Sequence, residues 1–221
     1  MSSKKSRQTN QQNYNEFKEI KPLNYIQGEY FQAIKSGTIV IGTGSAGTGK
    51  TFIAANFAAG ELYHRRIKKI IITRPVVETG PGLGFLPGTL DEKYRPYLAP
   101  FENIFTKALG HGFYEYCVKS KAIEPVPIGF MRGSTFDDCI VLVDEAQNCT
   151  REELKMLFSR IGKNCKIIVS GDVEQSDIKN SGLSDAINRL HGIRGVEVVK
   201  FLDSDIVRSA MCKEIIMAYR K

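Results

Sequence analysis

The stretch of residues 39–52, IVIGTGSAGTGKTF, decides how this chain folds, and two glycine patterns overlap within it. Residues 42–47 fit G-x-G-x-x-G, a pattern found in dinucleotide-binding sites. Residues 44–51 fit G-x-x-x-x-G-K-T, which marks a loop that binds the phosphates of ATP or GTP. One short loop can serve only one of these uses, and the residues around it indicate which.

The following strand favours the phosphate-binding loop. A dinucleotide site needs an acidic residue about 20 positions further on to hold the ribose. The next apolar run, KIIIT at 69–73, is followed by Arg74 and Pro75 instead. The phosphate-loop pattern has the strand before it and the helical pattern after it that such a loop requires. Gly42 is then interpreted as the glycine at which the strand ends.

The predicted nucleotide-binding loop consists of eight residues: Gly44, Ser45, Ala46, Gly47, Thr48, Gly49, Lys50 and Thr51. Its glycines let backbone N–H groups turn towards a phosphate, and the next helix adds a favourable dipole. In such loops the lysine contacts the β- and γ-phosphates and the hydroxyl binds Mg²⁺. These roles predict Lys50 as a catalytic residue and Thr51 as a metal ligand.

The run CIVLVDEAQN at 139–148 supplies the second half of a nucleotide site. Its apolar strand ends in Asp144, which we expect to hold Mg²⁺ through water. Glu145 follows at the carboxyl end of the strand, where a carboxylate can accept a proton from the attacking water. In the later run IIVSGDVEQSD, Gln175 is placed to contact the γ-phosphate or its water, and Asp172 to orient that contact.

The rest of the 221-residue chain predicts one α/β domain. Residues 1–20 are polar and basic and are expected to form a mobile tail, which leaves 21–221 for the domain. Buried strands that alternate with helices indicate a mainly parallel sheet covered on both faces. We predict strands at 38–42, 69–73, 139–144, 166–170 and 196–201, and helices at 52–64, 150–162, 184–190 and 205–219. A Gly/Pro-rich insertion at about 75–133 is either functional or an elaboration that packs on the sheet.

Charge and cysteine content narrow the class of protein. The net charge of +7 suits an anionic partner, although part of it lies in the tail and in a loop-like HRRIKK run. The five cysteines form no C-x-x-C pair, which predicts a reduced cytoplasmic protein without a structural metal. The amino terminus lacks the apolar stretch of a secretory signal, and no apolar run is long enough to span a bilayer.

Three motifs, GSAGTGKT, VLVDEAQN and SGDVEQSD, resemble the nucleotide core of superfamily one helicases. The longer stretches TRPVVETGPGLGFLPGTLDEKYRPYLAPF, PVPIGFMRGSTFDDCIVLVDEAQN and DSDIVRSAMCKEIIMAY together resemble the PhoH family of ATPases, over about residues 22–219. The resemblance implies a three-layer RecA-like P-loop NTPase domain that uses ATP and Mg²⁺. Some family members are associated with RNA unwinding and cleavage, and compact members occur in bacteriophages. If this chain is encoded by a bacteriophage, we expect it to work in the host cytoplasm.

The resemblance also implies a role for Gln27, which matches a family glutamine that bonds adenine. Tyr30 would then lie near the base; Gln27 is equally compatible with a helix surface. The chain departs from the family pattern where Ser209 and Ala210 replace a His-Pro pair, and where GSTF at 133–136 replaces a more basic run.

Hydrolysis needs positive charge at the γ-phosphate beyond Lys50 and Mg²⁺, commonly from an arginine finger. A single domain predicts that a neighbouring subunit supplies it, in a closed head-to-tail ring; the resemblance suggests a hexamer. Arg208 is the first candidate, the alternative being a surface charge on the last helix, and Arg74 is the second. Candidate contacts to single-stranded nucleic acid, chosen by charge and stacking, are Arg74, Phe85, Lys93, Tyr94, Arg95 and Arg132.

The leading functional hypothesis is an ATPase that couples hydrolysis to single-stranded nucleic acid, with RNA preferred and helicase activity its strongest form. An ATP-dependent switch or assembly factor is the alternative, because phosphate-loop folds serve many functions. A small-molecule kinase is disfavoured, since Glu145 and Gln175 are organised around water rather than an acceptor hydroxyl.

Overall fold

A parallel β-sheet forms the centre of the molecule. The structure is a computed structural model that describes residue 17 and residues 19–75, 95–178 and 181–219. Within these ranges the strands are β1 (Ile39–Gly44), β2 (Lys69–Thr73), β3 (Ile123–Pro125), β4 (Cys139–Val143), β5 (Cys165–Gly171) and β6 (Val196–Phe201). Their order across the sheet is β3-β2-β4-β5-β1-β6, and every pairing is parallel.

Helices precede, connect and follow these strands. They are α1 (Tyr25–Ser36), α2 (Lys50–Tyr63), α3 (Ala99–Leu109), α4 (His111–Lys119), α5 (Arg151–Phe158), α6 (Gly182–Leu190) and α7 (Ala210–Tyr219). Short 3₁₀ helices lie at Arg95–Leu98, Ile128–Met131, Ala146–Asn148, Val173–Gln175 and Asp203–Asp205. No helix in the described ranges is long and apolar enough to cross a membrane.

Two hydrophobic cores lie on opposite faces of the sheet, because strand side chains alternate between faces. Val40 points into the core formed with helices α1 to α4, which includes Phe101 and Phe105. Ile39 and Ile41 point into the core formed with helices α5 and α6. Helices therefore cover both faces, and the predicted α/β class with a parallel central sheet is confirmed.

Several predicted boundaries agree with the structure. Strands β2 and β6 occupy the predicted residues. Helix α5 begins at a capping box, in which the Thr150 N–H donates to Glu153 Oε2 at 2.8 Å. Strand β1 differs, because it continues to Gly44. Gly42 is therefore inside the strand, and a Cβ on it would lie 2.8 Å from the ring of Tyr30.

Tyr30 corrects a second expectation. Its side chain is fully buried and packs edge-to-face on Phe201, with ring centroids 5.4 Å apart. A tyrosine in this position cannot stack on a bound base. Its function is to fill the space beside β1 that Gly42 leaves.

The described part of the Gly/Pro-rich segment, residue 75 and residues 95–133, consists mainly of regular structure. It contains α3, α4 and the edge strand β3, where Pro125 is tolerated because an edge strand lacks a second neighbour. Ordered packing also begins earlier than the predicted boundary of the tail. The ring of Phe17 lies 5.7 Å from that of Tyr63. The remainder of the tail, residues 1–16 and 18, lies outside the described residues.

All five cysteines lie in described parts of the chain and are free thiols. Cys117, Cys139, Cys149 and Cys165 are buried, whereas Cys212 on α7 is partly exposed. Cys139 and Cys165 are partners in the register of β4 and β5. Both thiols belong to the hydrophobic core on the face of the sheet that α5 and α6 cover.

Candidate functional site

A cavity of about 600 Å³ lies at the carboxyl ends of the central strands. Parallel strands bring their carboxyl ends to one edge, and ligands of open α/β sheets bind there. The cavity gathers predicted site residues from six separate stretches of the chain. They are Gln27, Ala46, Gly47, Gly49, Lys50, Thr51, Arg74, Asp144, Glu145, Gln175 and Arg208.

The phosphate-binding loop owes its shape to glycines at positive φ. Gly44 has φ of 120°, and a Cβ there would lie 2.0 Å from the carbonyl oxygen of Phe201 at the end of β6. No other residue fits such a contact without displacing the neighbouring strand. The loop is thereby pressed against β6, and Gly49 begins α2 in a left-handed conformation.

Lys50 is buried at the centre of this loop. Its ammonium donates to the carbonyl oxygens of Gly44 and Ser45 at 2.6 and 2.7 Å, and lies 3.2 Å from the hydroxyl of Thr48. Three oxygen partners satisfy the three donors of an ammonium group. The positive charge is therefore already held at the loop that is predicted to bind phosphates.

Thr51 and Asp144 form a set of oxygen donors beside the loop. The Thr51 hydroxyl donates to Asp144 Oδ1 at 3.0 Å. Burial raises the pKa of the Asp144 carboxyl; the charge of Glu145 adds to this and the charge of Arg74 opposes it. A hydroxyl and a carboxylate are ligands that Mg²⁺ accepts while it keeps several waters. Both residues thus fit the predicted metal-binding role.

Glu145 is held at both of its carboxylate oxygens. Oε1 accepts a hydrogen bond from Arg74 Nη2 at 2.7 Å, and Oε2 accepts one from Gln147 Nε2, also at 2.7 Å. Its backbone is left-handed, with φ of 52°, a conformation that non-glycine residues adopt mainly in special positions. The candidate base therefore has a defined orientation.

Gln147 is a site residue that the sequence reasoning missed. It is buried, and while its Nε2 holds Glu145, its Oε1 accepts a hydrogen bond from the Asp172 backbone N–H at 3.0 Å. It thereby joins the end of β4 to the end of β5. The sequence shows only that Gln147 lies two residues after Glu145 in DEAQ; its burial and its hydrogen bonds depend on β4 lying beside β5.

Gln175 is exposed and lines the cavity at the end of the 3₁₀ helix Val173–Gln175. Asp172 is buried and supports this turn, because its side chain accepts from the Glu174 N–H at 3.1 Å and its carbonyl oxygen accepts from the Gln175 N–H at 3.0 Å. The placement is compatible with the predicted contact between Gln175 and the γ-phosphate or its water, which stays a prediction.

Gln27 lines the cavity, and both polar atoms of its side chain are bonded to the backbone. Its Nε2 donates to the Thr48 carbonyl oxygen at 2.9 Å, and its Oε1 accepts from the Leu23 N–H at 2.8 Å. The side chain is almost fully buried, so it is not a helix-surface residue. It ties the phosphate-binding loop to α1, and its contact with adenine stays a prediction.

Arg208 lies along the loop of its own chain. The Val207 N–H donates to the Gly47 carbonyl oxygen at 3.1 Å, and Arg208 Nε is 2.9 Å from where a Cβ on Gly47 would be. Further back, the Ser45 hydroxyl donates to Asp203. Arg208 therefore lines the cavity of its own chain, and its predicted role as a finger for a neighbouring subunit stays a prediction.

The candidate nucleic-acid contacts are dispersed. Arg74 lies in the cavity, bonded to Glu145. Arg132 is exposed after the 3₁₀ helix Ile128–Met131 and is absent from the described lining of the cavity. Arg95 begins the 3₁₀ helix Arg95–Leu98. Phe85, Lys93 and Tyr94 lie outside the described residues.

Comparison with known proteins gives a consistent family relationship. Residues 19–220 match the family model described as PhoH-like protein. The chain is 42% identical over 201 residues to "Protein PhoH" of Escherichia coli K12, covering 89% of this chain and 57% of that protein. It is 43% identical over 207 residues to a PhoH-like protein of Bacillus subtilis, covering 92% and 65%. The chain thus spans about three-fifths of the length of these relatives.

Among solved structures, the Pif1 helicase of Candida albicans matches with a TM-score of 0.42 and 15% identity. The match covers 83% of this chain and 40% of the helicase chain.

Proposed function

Because the chain belongs to the PhoH-like protein family, we propose that it is an ATPase that hydrolyses the β–γ phosphoanhydride of Mg-ATP. The observation that carries this is the convergence of Lys50, the Thr51–Asp144 pair and Glu145 on one cavity. The phosphate loop supplies N–H donors and the ammonium of Lys50. Thr51 and Asp144 would hold Mg²⁺, which neutralises charge on the phosphates when bound.

Glu145 performs the proton transfer in this proposal. Its carboxylate lies one residue beyond Asp144 and faces the cavity, so it can take a proton from a water aligned with the γ-phosphate. Gln147 keeps one oxygen fixed during this step, and Gln175 contacts the water or the phosphate. Arg208, which lies beside Gly47 of the loop, adds positive charge near the phosphates.

We further propose that the active form is a homo-oligomer, a ring hexamer by family resemblance, and that turnover is coupled to single-stranded nucleic acid, with RNA preferred. The basic net charge and the family relationship support this coupling. The alternative is an ATP-dependent switch or assembly factor that recruits proteins and does not respond to nucleic acid.

One assay separates these functions. ATP hydrolysis is measured alone and with single-stranded RNA, single-stranded DNA or duplex DNA, and the mass of the oligomer is measured in the same buffer. A motor or remodeller is stimulated by at least one nucleic acid. A turnover rate that no nucleic acid changes would favour the switch, and undetectable hydrolysis under every condition would contradict the ATPase.

The route by which Arg208 acts is tested by mixing subunits. Chains with Arg208→Ala are combined with chains carrying Glu145→Gln. If the arginine serves a neighbouring subunit, mixed oligomers regain turnover, because some interfaces combine an intact arginine with an intact Glu145. If it serves its own cavity, as its contact with Gly47 supports, mixing restores nothing.

A further inference from the structure

Arg74 and Glu145 form an ion pair inside the candidate nucleotide cavity. Arg74 Nη2 lies 2.7 Å from Glu145 Oε1, and both side chains line the same cavity as Lys50 and Thr51. The proposed hydrolysis requires the Glu145 carboxylate to contact water, but its Oε1 is bonded to the guanidinium of Arg74. The pair is therefore located where it must respond to whatever enters the cavity.

The position of Arg74 is fixed by the sheet. It follows β2 directly, and β2 pairs with β4 so that Thr73 is opposite Val143. The Asp144 N–H continues the ladder by donating to the Thr73 carbonyl oxygen at 3.0 Å. This register puts the base of the arginine side chain beside the two acidic residues, and its guanidinium acts electrostatically on Asp144 as well as on Glu145.

A phosphate group is a strong competitor for this guanidinium. Arginine presents five donors in a rigid fork that matches phosphate oxygens as well as carboxylates. The side chains of the pair are 29% and 42% exposed, and a partly exposed ion pair contributes little to stability. A terminal phosphate at the neighbouring loop carries more negative charge than one carboxylate.

We propose that Arg74 is a phosphate-sensing latch: it holds Glu145 when the nucleotide site is empty and transfers to the γ-phosphate of bound ATP, which releases Glu145 Oε1 for the water. This inference rests on the proposed ATP site and assigns Arg74 to its own chain's nucleotide. Gln147 remains on Oε2 throughout, so the released carboxylate keeps its orientation. ADP lacks the γ-phosphate and leaves the latch closed.

The test measures binding rather than turnover, by calorimetry with ADP and with a non-hydrolysable ATP analogue. Arg74→Ala is expected to weaken binding of the analogue by about 10- to 100-fold, the range for a hydrogen bond to a charged group, and ADP binding by less than about 3-fold. Arg74→Lys, which keeps the charge and loses the fork, should give an intermediate loss. The control is Arg66→Ala, which breaks an ion pair of similar length, 2.6 Å to Glu61, near the other end of α2.

A double-mutant cycle tests the competition itself. Glu145→Gln removes the charge that holds Arg74, so analogue binding should tighten by about 2- to 5-fold more in the Arg74 chain than in the Arg74→Ala chain, as expected for one partly exposed ion pair. The thermal melting of each variant is compared to confirm folding, and Arg74→Gln, which also removes the charge but keeps more of the side-chain volume, replaces Arg74→Ala in the cycle if the latter fails to fold.

Two results would overturn the latch: equal losses for ADP and the analogue, or a Glu145→Gln effect that is the same in both backgrounds. These outcomes are distinct from failure of the proposed function. If the wild-type chain binds neither nucleotide, the ATPase proposal fails; if it binds both and the cycle is additive, only the latch fails.

Discussion

The two sides of the nucleotide cavity are constructed differently. On the carboxylate side, at the ends of β2 and β4, side chains bond to side chains: Arg74 and Gln147 hold Glu145. On the C-terminal side, residues 201–208 run along the phosphate-binding loop and contact its backbone at Gly44 and Gly47. The side chains on the carboxylate side can therefore change hydrogen-bond partners while the fold stays intact. On the C-terminal side, residues 201–208 can move only together with the loop.

The largest expected effect concerns Arg208, on the C-terminal side of the cavity. Arg208→Ala should lower kcat by about 10³-fold, the lower part of the range for an arginine that stabilises a phosphoryl transition state. Nucleotide affinity should change little, because the loop and Lys50 are intact. Steady-state kinetics and calorimetry give the two values. A drop in affinity with an unchanged kcat would instead indicate that Arg208 only braces the loop.

The second-largest expected effect concerns Glu145, at the centre of the carboxylate side. Glu145→Gln should lower kcat by about 10²- to 10⁴-fold, since it removes the proposed general base, and should leave ATP bound. Single-turnover measurements separate the chemical step from product release. The matched variant Glu152→Gln changes an acidic residue in the first turn of α5 and should retain full turnover.

Gln147→Ala should have a smaller effect, a loss of about 10-fold in kcat with KM nearly constant. It removes the hydrogen bond that orients the proposed base and the one that Gln147 accepts from the Asp172 N–H. Gln147→Glu keeps the size of the side chain but sets a carboxylate against Glu145, and should lose more activity than the alanine variant. If both variants match the wild type, Gln147 has no positioning role.

The smallest effect concerns stability and follows from Asp144. Its pKa is raised by burial, so ionisation costs the folded state more than the unfolded state, and this penalty grows as pH rises from the unfolded pKa of about 3.9 through the folded value. Asp144→Asn should therefore raise Tm by about 2–4 °C at neutral pH, equivalent to about 1 kcal/mol. The gain should vanish near pH 4, as followed by thermal melting without Mg²⁺.

Much of this arrangement could be predicted from local sequence. Buried parallel strands are continuous apolar runs, so 69–73 and 196–201 were visible, and the loop and the Asp144–Glu145 pair follow spacing rules that do not depend on distant contacts. Helices α3 and α4 were missed because the abundant Gly and Pro of the segment up to Phe101 obscured the apolar spacing at Phe101, Phe105 and Leu109.

The partners of charged side chains could not be predicted in the same way. Arg208 lies about 160 positions after Gly47, and the two meet because β6 pairs with β1. Nothing in either segment specifies that strand order. The bond from Arg74 to Glu145 likewise depends on β2 lying beside β4. Tyr30 was misplaced for a related reason, since its pocket is created by Gly42 in another element.

The distribution of thiols gives this molecule a built-in labelling position. Four cysteines are buried, and Cys212 is partly exposed on α7, four residues after Arg208. A thiol-reactive fluorophore would therefore attach at Cys212 in the native protein without any engineered change. Since the Val207 N–H of the segment before it donates to the loop at Gly47, a change in the emission of that dye on adding nucleotide would report movement of the loop.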